Sequence, residues 1–398
     1  MKATTTASIV VLLAGFTTLH GADDLHVYFG NLHSHTSYSD GSGYPAEAYA
    51  YARNKAHLDF LAITEHNHAA AEGAHKPGTP FSKEGTRKDG VLIGKDHSLY
   101  DGNNDTSVMG AARKANEDGK FVALYGQEFS TISSGNHVNV FEVGEVIPTM
   151  NGKFDKLLDW LATHNDSQGK FPILQFNHPV GTSDPHADVE YGRDDFGGDG
   201  SWVKKMGEHV RTIEVLCGPG TLPKAAKPTR FEPEYWDLLS KGFRVGPVGD
   251  QDNHFPTWGT LTDARTGVVC AHLTKKEILD AIRARHVYAT EEAELNVIGT
   301  VNGHLCGDEF HKPAGGLDIT VQISNTNDPH GDYTIEVYGG KIGQGRAAVV
   351  GKKSATGNGT VQVSGVSAVN YDYIAIKVTH EDDHEETRHA WLAPVWFN

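Results

Sequence analysis

From Leu25 to about Arg285, short apolar runs alternate with segments whose apolar residues recur every three or four positions. The runs "LHVYFGNLH", "LDFLAITEH", "FVALYGQEFS", "VNVFEVG", "FPILQFNHP", "TIEVLCG" and "FRVGPVGDQDNH" read as strands, most of them continuously apolar as in a sheet buried on both faces. "YPAEAYAYARNKAH", with Pro45 near its start, "FDKLLDWLATH", "FEPEYWDLLSKG" and "TKKEILDAIRAR" read as helices. Strands alternating with helices predict βαβ units and a largely parallel sheet, and six or seven such repeats make a closed barrel the simplest architecture. A long insertion, residues 67–120, interrupts the pattern and is expected to end in a helix around Ser107 to Asp118. Within it, "YDGNNDTS" lacks the closing glutamate of a calcium loop and reads as a solvated turn.

After about residue 310 the period changes to two. "LDITVQIS", "YTIEVYGG", "GTVQVSG", "YDYIAIKVTH" and "RHAWLAPVWF" alternate apolar and polar residues and are punctuated by Gly, Asn and Asp. That predicts a small antiparallel β domain over 310–398, sandwich-like, behind a larger domain over 23–309.

Composition sharpens the picture in four places. The net charge of −16 argues against a nucleic-acid surface, while leaving room for an anionic substrate where bound cations reverse the local field. The first residues carry a charged Lys2, an apolar stretch Ile9 to Phe16 too short to span a bilayer, and small residues at Gly21 and Ala22. They read as a signal peptide over 1–22 rather than a buried strand, so the mature chain is expected to be periplasmic or secreted, with no membrane span. Cys217, Cys270 and Cys306 have no CxxC spacing, and three buried thiols are preferred to one disulfide.

The fourth place is histidine, with 23 copies. His33 and His35 follow the first strand; an HxH pair in an extended segment points both rings to one side. Asp40 lies just beyond. His66 closes "LAITEH", Glu128 closes "VALYGQE", His137 opens "HVNVFEV", His178 closes "ILQFNH", and Asp252 and His254 close "VGDQDNH". Parallel strands of a βα barrel converge at their C-terminal ends, where active sites are built. Singly, each residue has an ordinary reading: a surface histidine, a turn-forming aspartate, an exposed acid. Jointly, nine polar groups at the ends of apolar strands would each cost roughly 2–7 kcal/mol or more if buried unpaired. Coordination of divalent Zn, Mn or Fe by imidazole and carboxylate removes that cost, and nine ligands suit two or three ions.

The motifs "HSHTSYSDG", "ITEHN", "GQEFS", "FNHPVG" and "GDQDNH", spread over roughly residues 27 to 290, resemble those of the PHP (polymerase and histidinol phosphatase) family. "TKKEILDAIRARHVYATEEAELNVIGTVNG" and "HAWLAPVWF" resemble its secreted carbaryl-hydrolase-like (CehA/McbA) branch. The resemblance implies an α/β fold, a distorted (β/α)7 barrel of PHP type. It implies that His33, His35 and Asp252 hold one ion, that Glu128 bridges to a second held by His137 and His178, and that Asp40, His66 and His254 hold a third. The DxH spacing selects Asp252 over Asp250 as ligand and as the residue nearest the chemistry. The implied reaction is hydrolysis of a small-molecule ester by a hydroxide bridging two ions. A phosphate ester is the leading expectation and a carbamate, ester or amide the alternative; a non-catalytic metal-containing binding protein is a rival of another class. Arg193, Lys224 and Arg230 are candidate phosphate contacts that read more simply as surface cations; His68, His75, His97, His164 and His186 match no motif.

Overall fold

The computed structural model describes residues 25–67, 93, 96–129, 136–149, 153–179, 205–218, 220, 227–381 and 387–398. The proposed signal peptide, most of the insertion, and Arg193, Lys224, His68, His75 and His186 lie outside the described residues. The strands are β1 His26–Asn31, β2 Phe60–His66, β3 Val122–Phe129, β4 His137–Phe141, β5 Leu174–Asn177, β6 Val210–Cys217, β7 Thr229–Arg230, β8 Gly246–Gly249, β9 Arg265–Cys270 and β10 Val287–Thr290. They continue with β11 Leu295–Val301, β12 His304–Leu305, β13 Glu309–Phe310, β14 Ile319–Asn325, β15 Asp332–Gly340, β16 Ala348–Thr356, β17 Gly359–Val363, β18 Tyr373–Glu381, β19 Thr387–Leu392 and β20 Val395–Phe397. The helices are α1 Pro45–Asn54, α2 Val108–Ala115, α3 Phe154–Leu161, α4 Glu232–Ser240 and α5 Lys275–Ala284. Pro45 opens α1, Ser107 caps α2 by accepting from the Gly110 amide, and Thr274 caps α5 by accepting from the Glu277 amide. Among the described residues no helix is long and apolar enough to cross a membrane.

The sheet is mixed. Strands β1–β2, β2–β3, β5–β6 and β6–β8 pair in parallel, whereas β4 runs antiparallel to β3 and β5, and β9 antiparallel to β1. The expected closed barrel of seven parallel units is not found among the described residues: no ladder joins β8 to β9. The reason is that β9 spends one edge on β1 and the other on β10. The gap is bridged instead by the Thr266 hydroxyl, which lies 3.1 Å from both the amide and the carbonyl of Gly249. The antiparallel turn at β4 follows from chain length, since only seven residues separate Phe129 from His137, too few for a crossover helix.

Period-two alternation sorts the strands into an inner and an outer face. Leu61, Ile63, Ala123 and Tyr125 face out onto α1 and α2; Leu174, Phe176, Ile213 and Val215 face out among the residues of α3 and α4. Phe60, Ala62, Val122, Leu124, Phe141, Val248 and Val268 face in and meet Ile278, Leu279 and Ile282 of α5, which form an apolar floor. Continuing the same inward rows places His66 above Phe60 and Ala62, and Glu128 above Val122 and Leu124. The antiparallel β4 runs the other way, so its first residue, His137, reaches the same rim that the parallel strands reach with their last.

β19 pairs with β10 and carries the sheet into the C-terminal region, where β18, β15 and β16 follow. A separate sheet, β12-β11-β14-β17, packs against it over one apolar core that includes Val297, Ile319, Val321, Ile335, Val337, Ile376 and Val378.

Candidate metal centre

His33 and His35 lie on a segment gripped from both sides. The Thr64 amide donates to the Ser34 carbonyl, the His35 amide donates to the Asn253 carbonyl, and Ser34 and Asn253 form a parallel bridge. The following turn folds back tightly, and Gly41 is required there, because a Cβ would stand 2.8 Å from the His35 carbonyl carbon. That turn brings Asp40 to within 3.1 Å of His254 Nε2 and 3.7 Å of His66 Nε2. Register does the same for the strand residues: His66 lies opposite Glu128, and His137 opposite Asn177, the neighbour of His178.

Glu128 stands at the centre, wholly buried. Its oxygens lie 2.8 Å from His66 Nδ1, 2.9 Å from His137 Nδ1, 3.1 Å from His178 Nε2, 3.2 Å from His33 Nε2 and 3.4 Å from His35 Nε2. Asp252 Oδ1 is 3.0 Å from His35 Nε2 and 3.2 Å from His33 Nε2. All nine residues singled out in the sequence therefore meet in one cluster, most of them buried and His178 and Asp252 half-buried. Asp250 faces elsewhere: it accepts from the Leu32 amide, Gln175 and Thr266. His97 is exposed, His164 stacks on Trp160 and reaches Glu145, and Arg230 is paired with Glu291. Two of the nine, His178 at φ 27° and Asp252 at φ 47°, hold left-handed backbone that costs a non-glycine residue of order 1–3 kcal/mol.

The arrangement has more acceptors than protons. His33 Nδ1 is 2.8 Å from Glu214, so the ring's other nitrogen faces His35 Nε2, Glu128 Oε1 and Asp252 Oδ1, each 3.2 Å away. His35 Nε2 likewise faces Asp252, Glu128 and His33. One ring proton apiece cannot serve three acceptors, whereas a cation among them would satisfy every lone pair. The donor set fits divalent ions. Nitrogen and oxygen atoms of His33, His35, Glu128 and Asp252 lie within 4.8 Å of one another, as do those of His35, Asp40, His66 and His254, and those of His66, Glu128 and His137.

Electrostatics agree. Burial opposes charge on His66, yet Asp40 and Glu128 outweigh it and raise its pKa to about 9. Burial is likewise outweighed at His254, where Asp40 and Asp252 raise it to about 10. His35, buried between His254 and His66, is lowered to about 3. Burial also resists ionisation of Glu128 and Asp252, but the surrounding imidazoles pull both well below the usual carboxylate range. The carboxylates that hold protons on His66 and His254 are the ones that would hold a divalent ion in their place.

Sequence reading missed a supporting layer. Glu65 accepts from the Thr36 amide and the Thr36 and Ser39 hydroxyls, and burial pushes its pKa up to about 7. Glu214 contacts His33 and His178, and Trp258 Nε1 donates to the His35 carbonyl. The available signal was a carboxylate inside an apolar strand, in "LAITEH" and "TIEVLCG". Cys217, Cys270 and Cys306 are buried free thiols.

No protein-family model and no curated protein matches the chain. Among solved structures it is similar to a two-domain protein containing a predicted PHP-like metal-dependent phosphoesterase from Bacteroides vulgatus, at 13% identity over 96% of this chain and 95% of that one, with a TM-score of 0.45. A likeness that loose leaves the functional reading to rest on this chain's own residues.

Proposed function

We propose that the chain is a metal-dependent hydrolase of small esters, with phosphate esters as the leading substrate class. The observation that carries this is the set of imidazole and carboxylate lone pairs turned toward one another in a buried cluster. In this reading His33, His35 and Asp252 hold one ion, Glu128, His137 and His178 a second, and Asp40, His66 and His254 a third. Divalent ions bound there would supply an acidified water and would neutralise charge developing on ester oxygens. The chain's own part is to fix the ligands: Glu128 Oε1 faces His33 and His178 and Oε2 faces His35, so this one side chain would serve two ions, and the strained backbone at His178 and Asp252 aims their side chains inward. The low floor of Phe60, Ala62, Val122 and Leu124 shuts bulk water out from below.

A carbamate or carboxylic ester would be attacked by the same water at the same ligands. A secreted or periplasmic location belongs to the proposal and rests on the character of residues 1–22. The test is turnover of p-nitrophenyl phosphate, bis-p-nitrophenyl phosphate and a naphthyl carbamate by the metal-loaded chain, with His33→Ala as control. Turnover of a phosphate ester that disappears in the variant is expected. Turnover of the carbamate alone would move the assignment to carbonyl chemistry, and no turnover on the panel by a metal-loaded chain would favour a binding role.

A further inference from the structure

We propose that Glu214 is the positioning residue that ties the ligands of two ions together, an inference that rests on the metal-site reading above. Glu214 lies on β6 with Ile213 and Val215 facing the outer core on either side of it, so its own side chain points into the cup beneath the cluster. It is wholly buried. Among the described residues no Lys or Arg comes within ion-pair distance of it; its ion-pair partner is the His33 ring. A buried carboxylate paired only with an imidazole is costly to desolvate and makes a poor stabilising device. Its two oxygens are both used: Oε1 is 2.8 Å from His33 Nδ1, and Oε2 accepts from the His178 amide.

Each contact does something specific. The first keeps the His33 proton on Nδ1, which leaves Nε2 bare on the side where Glu128 and Asp252 converge; a carboxylate behind a metal-ligating imidazole acts in this way. The second holds the backbone of His178 in its left-handed conformation, and from there Nε2 reaches Glu128. His33 and His178 belong to different ions in the proposed assignment, so one side chain sets the aim of both. Glu214 also lies with His33 and Cys217 in a group of candidate metal donors; in this proposal its two oxygens stay turned to the His33 ring and the His178 amide, so it serves the ions through these histidines.

Glu214→Gln keeps the shape but must present its NH2 to one of two N–H donors. Either the His33 ring gives up its bare Nε2, or the His178 amide loses its acceptor. Binding of Mn2+ or Co2+ to the metal-free full chain is measured by calorimetry, alongside the melting temperature of the metal-free chain. The expected result is affinity weakened by roughly 10–100-fold, with the metal-free melting temperature close to that of the parent. Glu214→Asp, which keeps the charge but is too short to span both contacts, is read the same way and covers the case in which the glutamine variant does not fold. A lower melting temperature with unchanged affinity in the folded variants would reduce Glu214 to a structural part and overturn the inference. A parent chain that binds no ion would overturn the metal-site reading and this inference together, whereas a parent that binds and variants that bind equally well would overturn this inference alone.

Discussion

Five imidazole nitrogens within 3.4 Å of one carboxylate make Glu128 the residue on which the site's balance turns. Glu128→Gln removes the charge, leaves the shape and sets an amide NH2 against ring nitrogens. It should weaken binding of the ions on either side of it by at least roughly 100-fold, beyond the cost of an outer partner, and abolish turnover; equilibrium dialysis with Mn2+ or Zn2+ checks this. Retained affinity would mean that the imidazoles alone suffice. The nine ligand candidates were legible because titratable groups at the ends of apolar strands have few other uses. Glu65 and Glu214 were not, because a single acid inside a strand announces burial without saying which neighbour it serves.

At the scale of elements, the central helices and strands follow from periodicity, whereas β9, β10 and β16 do not. "ARTGVVCA" and "HVYAT" are too short to separate from loop by pattern, yet they take the positions that keep the barrel ladder open. The C-terminal strands are tied to the end of β10 by His380 on β18, whose Nδ1 is 2.8 Å from Glu292 and whose Nε2 is 3.1 Å from Asp328, with Tyr333 stacked on the ring. The hydrogen bond to Glu292, helped by Asp328 and opposed by burial, raises the His380 pKa above the ordinary histidine value. A raised histidine contributes stability that is fully present below its unfolded pKa of about 6.5 and is lost as pH rises through the folded value. The gap in urea midpoint between the parent and His380→Gln should therefore be larger at pH 5.5 than at pH 9. An equal gap at both would assign the effect to packing on Tyr333.

For the whole molecule, a net charge of −16 and a buried pocket of carboxylates and imidazoles make sense together if cations complete the structure. Ions that bind only the folded chain add stability of about 4 kcal/mol at a thousandfold excess over Kd. The most direct test is elemental analysis of the purified chain, paired with melting before and after chelation. Two or three divalent ions per chain, lost on chelation with a fall in melting temperature and at least one fewer in His33→Ala, are predicted. A chain that is folded, free of divalent ions, unable to take them up and indifferent to chelator would contradict the account at its centre.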